Sequence, residues 1–228
     1  SDLRKHFSAE QVDALALALD NIEKGDGFVL GDSTGVGKGR VVAGAIRYAH
    51  RKGMIPVFVT EKPHLYNDMW RDLHDIGFDK FLGRPIEMFM TNAGTRVPLD
   101  EKAVDWAAAA EAARATGEPV PPREGRFSTS QTTEESTRKM LDLRNGTFKP
   151  DVVFTTYDQM NSVKGGETER RAFLRAIAPK AFLIMDEAHN AGGQGESERG
   201  EGVGKAPPRA KVFREALAKA QAVLYSSA

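Results

Sequence analysis

A glycine-rich run near the start of the chain has the composition of a phosphate-binding loop. It reads Gly-Asp-Ser-Thr-Gly-Val-Gly-Lys-Gly-Arg from Gly31 to Arg40, follows a short apolar stretch and leads into a helical pattern. Successive backbone N–H groups in such a turn form an anion site at a helix N-terminus, and one lysine can reach the β and γ phosphates. We therefore predict a nucleotide site formed by Asp32, Ser33, Thr34, Gly35, Val36, Gly37, Lys38, Gly39 and Arg40.

The loop departs from the pattern G-x-x-x-x-G-K-[S/T] at both ends. Asp32 stands at the first glycine position, and Gly39 stands where a hydroxyl normally binds Mg²⁺. A magnesium ion is therefore expected to be held less firmly, with Ser33 or Thr34 as weaker replacements for the hydroxyl. Two alternatives stay open: a turn that only connects strand to helix, and a dinucleotide-binding turn, which fits less well because Arg40 replaces its third glycine.

Two carboxylates follow a second apolar run. Phe182 to Met185 leads directly into Asp186-Glu187-Ala188-His189, and open α/β sheets bind ligands at the carboxyl ends of their strands. Phosphoryl transfer requires charge neutralisation and a positioned nucleophile, so we assign Asp186 to Mg²⁺, through water, and Glu187 to the attacking water. Taken alone, the pair also fits a solvated strand end.

These motifs need a sheet that brings strand ends together, and the apolar pattern predicts one. The candidate strands are continuous rather than alternating, as in parallel strands covered on both faces, and helical patterns separate them. We predict a single α/β domain over 1–228 with a mostly parallel sheet and helices on both faces. A region at 94–149, rich in Ala, Pro, Ser and Thr, breaks the alternation and is interpreted as an insertion. The candidate strands cover 28–30, 56–60, 86–90, 152–156, 182–185 and 223–225. The candidate helices cover 9–22, 40–51, 65–76, 167–177 and 211–220.

Composition excludes several other classes of protein. The 228 residues contain no cysteine, which rules out disulfide frameworks and thiolate catalysis. Lysine plus arginine and aspartate plus glutamate number 32 each, so the net charge neither indicates nor excludes a nucleic-acid partner. Apolar runs are too short to span a membrane, and no signal peptide is evident. We expect a soluble intracellular protein without a membrane partner.

Together the motifs resemble the first RecA-like domain of a superfamily-two helicase, a P-loop NTPase fold, with Asp186-Glu187-Ala188-His189 as its DEAH box. The phosphate loop, the run Arg71-Asp72-Leu73-His74-Asp75-Ile76-Gly77 and the run Phe154-Thr155-Thr156-Tyr157 are similar to those of the strawberry notch family of helicase-like ATPases. The resemblance covers nearly the whole chain except 94–149. It implies that glycine after the loop lysine is a family trait.

The resemblance also implies roles for further residues. Gln11 matches the glutamine that reads the adenine edge, with Phe7 as a base-stacking candidate; a plain helix-cap role for Gln11 stays open. Lys62 and Pro63, and Thr155 and Thr156, match segments that touch nucleic acid, although Pro63 also suits a loop start. His189 is implied to link the DEAH box to a coupling motif, with a hydrogen-bonded structural histidine as the alternative. The coupling motif is matched by Ser226, Ser227 and Ala228.

The function implied by the resemblance is a motor domain that uses ATP and Mg²⁺ and acts on DNA or RNA. Such motors place ATP between two RecA-like lobes, so a second lobe in a longer protein is expected, and this lobe alone should hydrolyse ATP weakly or not at all. The alternative is a scaffold or regulatory module that binds ATP without turnover, motivated by Gly39.

Overall fold

The fold is a six-stranded parallel sheet between two layers of helices, seen in a computed structural model that describes residues 5–31, 37–161, 168–187 and 208–227. The strands are β1 (Phe28–Gly31), β2 (Ile55–Thr60), β3 (Met88–Met90), β4 (Val152–Thr156), β5 (Ala181–Asp186) and β6 (Ala222–Ser227). The α-helices are α1 (Ala9–Glu23), α2 (Lys38–Arg51), α3 (Leu65–Asp75), α4 (Phe78–Leu82), α5 (Glu101–Thr116), α6 (Thr133–Asn145), α7 (Glu169–Ile177) and α8 (Pro208–Leu217).

The strand order is β1-β6-β5-β2-β4-β3, and every described pair is parallel. All six predicted strands are confirmed, as is the α/β class with a P-loop NTPase, RecA-like arrangement. Parallel strands end at one edge of a sheet. Register pairs Gly31 with Ser227 and Asp186 with Ser226, which places the phosphate loop, the carboxylates and the end of β6 at that edge.

Alternate residues of the strands enter two separate hydrophobic cores. Phe58, Phe154 and Ile184 pack with α1, α2 and α3 on one face, whereas Val57 and Leu183 pack with α6, α7 and α8 on the other. Strands buried on both faces need apolar residues at every position. The uninterrupted Val, Ile and Phe runs of the sequence therefore specify the central strands.

The region 94–149 has two parts with different packing. From Thr133 onward, α6 adds Met140 and Leu143 to the second core. The earlier part folds on itself: Leu99 N donates to Arg126 O at 2.8 Å, and Trp106 Nε1 donates to Pro121 O at 3.0 Å. Among the described residues, α6 thus packs on the sheet through the second core, whereas the earlier part is joined to the first core through Val97.

Among the described residues, no helix is both long and apolar enough to cross a membrane.

Candidate functional site

The end of β6 connects Lys38 to both acidic residues. Ser227 O accepts a hydrogen bond from Lys38 Nζ at 3.0 Å, and Ser226 O accepts one from the Glu187 backbone N–H at 2.7 Å. The Ser226 side chain lies near the Asp186 carboxylate and acts to lower its pKa. Because β6 lies between β1 and β5, its last two residues bridge the phosphate loop and the acidic strand end. The structure therefore brings Lys38, Asp186, Glu187, Ser226 and Ser227 together at the end of β6.

Lys38 begins helix α2, and Gly37 directly before it has φ of 75°, in the left-handed region that favours glycine. No side chain among the described residues caps the N-terminus of α2. The first-turn N–H groups of a helix lack partners within the helix and carry partial positive charge. The start of α2, with the Lys38 ammonium beside it, therefore suits a phosphate group.

Asp186 is a mostly buried carboxylate at the end of β5. Burial raises its pKa, while the hydrogen bond from Thr60, the charge of Lys38 and the nearby Ser226 side chain act in the opposite direction. Thr60 Oγ1 donates to Asp186 Oδ2 at 3.0 Å. A carboxylate held this way, with a second carboxylate next to it, would gain from a cation, so the residues present fit the magnesium ion that the loop implies.

Glu187 has an unusual backbone. Its φ of 49° is the only positive value at a non-glycine residue within the described ranges. The left-handed conformation costs an L-residue about 1–2 kcal/mol, and the bond from its N–H to Ser226 O helps to hold it. Strain of this kind concentrates where a side chain must be aimed for function.

Beneath this site, Tyr157 joins β4 to the acidic strand. Its hydroxyl donates to Asp186 O at 2.8 Å, and its ring packs edge-on against Phe213. Thr155 and Thr156 precede it and are only 1% and 2% exposed. Their hydroxyls accept hydrogen bonds from Thr91 and Asn92. Contact of these two threonine side chains with nucleic acid would require the strand end to open.

Gln11 lies in the helix cap of α1, and its contact with adenine stays a prediction. Its Oε1 accepts from Ser8 N at 3.0 Å in a capping box at the start of α1, and its Nε2 donates to Gly37 O at 3.3 Å. A Cβ at Gly37 would collide with the Gln11 amide. The side chain therefore joins α1 to the end of the phosphate loop.

Phe7 lies in the core instead. It is 7% exposed and packs with the helices on the α2 face, where a Cβ on Gly44 would lie 3.3 Å from its ring. The prediction that Phe7 stacks on a nucleotide base is wrong for this conformation, because the apolar ring gains more from burial beside α2 than from solvent.

Arg40 points toward the neighbouring helix. Its guanidinium donates to His6 O at 3.2 Å and pairs with Asp75 Oδ2 at 3.3 Å. These contacts join the start of α2 to the end of α3. A phosphate contact for Arg40 stays a prediction, and it would require the guanidinium to leave these partners.

Gly39 faces a carboxylate from α3. A Cβ at position 39 would overlap Asp72 Oδ2 and lie 3.0 Å from Asp72 Cγ. Burial raises the pKa of Asp72 to about 6, helped by the negative charges of Asp75 and Asp68 and opposed by Arg71 and Arg40. The hydroxyl position of the phosphate loop is thus filled by an acidic side chain from another helix.

We expect Asp72→Asn to stabilise the ligand-free protein at pH 7.5 by about 1–2 kcal/mol, after allowing for solvent screening of the partly exposed carboxylate. A folded-state pKa raised from 3.8 to about 6 stabilises the protonated form, so the wild type loses this stability as pH rises from about 4 through 6. Urea unfolding should show that the difference in the free energy of unfolding between variant and wild type disappears near pH 4. Asp105→Asn, exposed on α5, is the control. An equal difference at both pH values would contradict this reading.

Pro63 lies at a groove between α3 and α5, directly after Lys62 in the chain. Lys62 is exposed, and Pro63 lines the groove, which has a volume of about 720 Å³. The lining carries more basic than acidic side chains and two aromatic rings, with Arg123 3.9 Å above the Phe127 ring. The arginines and the aromatic residues of the lining are Arg71, Arg96, Arg114, Arg123, Trp106 and Phe127.

Some predicted residues cannot be placed. Asp32, Ser33, Thr34, Gly35, Val36, His189 and Ala228 lie outside the described residues, so their roles stay predictions. Conversely, sequence reasoning gave no site role to Thr60 or Asp72 and no contact with Asp186 to Tyr157. Thr60 could have been found as a polar residue that ends an apolar strand. Asp72 had no local signal, because its relation to Gly39 arises only from the packing of α3 on α2.

The chain was compared with known families and structures. A model of the family described as P-loop containing NTP hydrolase pore-1 matches residues 3–228. No curated protein matches the chain. Similar solved structures include one titled XPD_Helicase, with 16% identity, 82% of this chain and 33% of that chain covered, and a TM-score of 0.44. A structure titled Truncated XPD has 16% identity, coverage of 82% and 53%, and a TM-score of 0.39.

A third solved structure is a nuclease-deletion mutant of the Type ISP restriction-modification enzyme LlaGI in complex with a DNA substrate mimic, with 15% identity and a TM-score of 0.48. It is matched over 97% of this chain but 17% of its own length. The chain thus spans about half or less of each of these proteins. The family match, by contrast, covers residues 3–228, which is nearly the whole of this chain. On that match, the chain belongs to the family of P-loop containing NTP hydrolase pore-1 proteins.

Proposed function

We propose that this domain binds ATP with Mg²⁺ and hydrolyses it as part of a nucleic-acid-dependent motor of the DEAH-box, strawberry notch type. The observation that carries the proposal is the bridge made by Ser226 and Ser227 between Lys38 and the two carboxylates. A cation and two acidic groups linked at one strand end are the parts that phosphoryl transfer requires.

The chemistry follows from where these side chains stand. Lys38 and the first-turn amides of α2 bind the phosphate oxygens, with Lys38 leaving Ser227 O to do so. Asp186 holds Mg²⁺, which when bound neutralises charge on the phosphates. Glu187 accepts a proton from the attacking water and orients it toward the terminal phosphate. We further propose that a second RecA-like lobe supplies the remaining positive charge.

The alternative of an ATP-binding scaffold without turnover is favoured by one observation, the missing hydroxyl at Gly39. Phosphate release from the chain, with and without single-stranded DNA or RNA, separates the two functions. Release above a Lys38→Ala control supports hydrolysis. ATP binding without any release, also when the chain is part of a two-lobed protein, supports the scaffold.

The groove beside Lys62 and Pro63 supports nucleic acid as the partner. Arginines beside half-buried aromatic rings suit a strand, because guanidinium groups pair with phosphates and rings can stack on bases. Arg71 is partly neutralised by Asp68 at 3.3 Å. Arg96 and Arg114 are exposed and line the groove away from that pair. We propose that the backbone of the nucleic acid passes from Lys62 along these arginines.

We expect Arg96→Ala and Arg114→Ala each to weaken binding of single-stranded DNA or RNA about 3- to 10-fold and to lower the salt slope of binding by about 1, because each removes one phosphate contact. Fluorescence anisotropy over a salt series measures both. Arg144→Ala, exposed at the end of α6 and outside the groove, is the control. Equal affinities and slopes for all three variants would remove the groove from the proposal.

A further inference from the structure

A side chain at position 39 would require the Asp72 carboxylate to move. It is the second residue of α2, where the phosphate-loop pattern calls for serine or threonine, and a Cβ there would overlap Asp72 Oδ2. The nearest Asp72 carbon, Cγ, would be 3.0 Å from that Cβ. A carboxylate oxygen therefore lies in the space that a hydroxyl-bearing side chain would fill. The absence of a side chain at Gly39 therefore leaves space for the carboxylate of Asp72.

The Asp72 carboxylate is partly buried beside charged neighbours. Arg71 and Arg40 act on it through their charge, but each of them also has a contact of its own. Arg40 binds His6 O and Asp75, and Arg71 pairs with Asp68. Burial outweighs the charges of these arginines and disfavours the charged form of Asp72. A cation beside this carboxylate would offset that penalty.

The Asp72 carboxylate also affects how a phosphate would bind at the start of α2. The start of α2 suits a phosphate, but the Asp72 carboxylate would repel a bare triphosphate there. A divalent cation between the carboxylate and the triphosphate would replace this repulsion by attraction. Carboxylate oxygens are ligands that Mg²⁺ uses, directly or through its water molecules.

We propose that Asp72 replaces the missing phosphate-loop hydroxyl and holds the magnesium ion of bound MgATP, and that Gly39 is glycine to make room for it. The inference rests on the proposed ATP site. It reverses the expectation that the loop holds magnesium less firmly, because the ligand comes from α3 instead of from the loop. ATP affinity should then depend strongly on Mg²⁺.

Calorimetry of ATP binding with excess Mg²⁺ and with EDTA tests the inference. The ratio of the two affinities should fall about 10-fold or more in Asp72→Asn, as for other groups that position a metal. The affinity in EDTA should rise in this variant, because the repelling charge is gone. A purely structural role for Asp72 would not produce that rise. The control Asp105→Asn, on the exposed surface of α5, should keep the wild-type ratio.

A compensating pair of substitutions tests the steric half of the proposal. Gly39→Ser alone should weaken MgATP binding or lower the stability of the protein, because its Cβ collides with Asp72. The double variant Gly39→Ser, Asp72→Ala removes the collision and returns a hydroxyl to the loop. Its magnesium dependence should recover toward that of wild type. With Mn²⁺ in place of Mg²⁺, electron paramagnetic resonance of the nucleotide complex should differ between wild type and Asp72→Asn.

Two different results would separate the role of Asp72 from the existence of the ATP site. Wild-type protein that binds MgATP, together with Asp72→Asn that keeps the wild-type affinity ratio and Mn²⁺ spectrum, would overturn the role of Asp72 alone. Wild-type protein that binds no ATP under either condition would overturn the ATP site and this inference with it. Circular dichroism of each variant confirms that it is folded.

Discussion

Replacement of Lys38 by alanine is expected to weaken ATP binding about 10²-fold. The ammonium stands at the start of α2, with Asp186 and the end of β6 around it. A hydrogen bond to a charged group contributes about 1.5–3 kcal/mol, and the upper end applies to a phosphate held at a helix N-terminus. Isothermal titration calorimetry in Mg²⁺ measures the change directly.

Lys52→Ala is the matched control for this experiment. Lys52 follows the last residue of the same helix, where it is exposed and pairs with Glu23 at 3.0 Å. Its loss removes the same charge from the protein but leaves the phosphate end of α2 untouched, so ATP affinity should not change. Equal affinities for wild type and both variants would show that ATP does not bind at this loop.

The second large effect is expected from Glu187→Gln, which should slow ATP hydrolysis about 10²-fold or more and leave ATP affinity nearly unchanged. The amide keeps the size of the side chain and the left-handed backbone but cannot accept a proton from water. Single-turnover assays with protein in excess over ATP measure the chemical step, and they do so even where steady-state turnover is slow.

Glu23→Gln, at the far end of α1 from the site, removes an equal charge and should hydrolyse ATP at the wild-type rate. The pattern of retained binding and lost hydrolysis separates Glu187 from Lys38, whose loss affects binding first. Full single-turnover activity of Glu187→Gln would assign the water-activating role to another residue.

The sheet was predictable because its sequence signal is local. Runs such as Val152 to Thr156 and Ala181 to Asp186 are buried on both faces, so every position is apolar until the strand ends. Parallel pairing then places the strand ends at one edge, which is enough to bring Lys38 and Asp186 together from sequence alone. Gly37 was also identifiable, since the turn requires a left-handed φ.

Other features depend on contacts between elements distant in sequence. The burial of Phe7 depends on where the segment before α1 crosses α2, and the burial of Thr155 and Thr156 depends on Thr91 and Asn92. The collision between position 39 and Asp72 exists only because α3 packs across the start of α2. A missing hydroxyl at Gly39 could be seen in the sequence; the carboxylate that fills its place could not.

The most direct measurement of the central claim is a crystal structure of the chain with Mg²⁺ and a non-hydrolysable ATP analogue. We predict that Lys38 Nζ moves from Ser227 O to the phosphates, that the magnesium ion lies between the phosphates and Asp186, and that Glu187 faces the terminal phosphate. A nucleotide bound elsewhere, or one bound at the loop with Lys38 still on Ser227 O and neither carboxylate toward the phosphates, would contradict the claim.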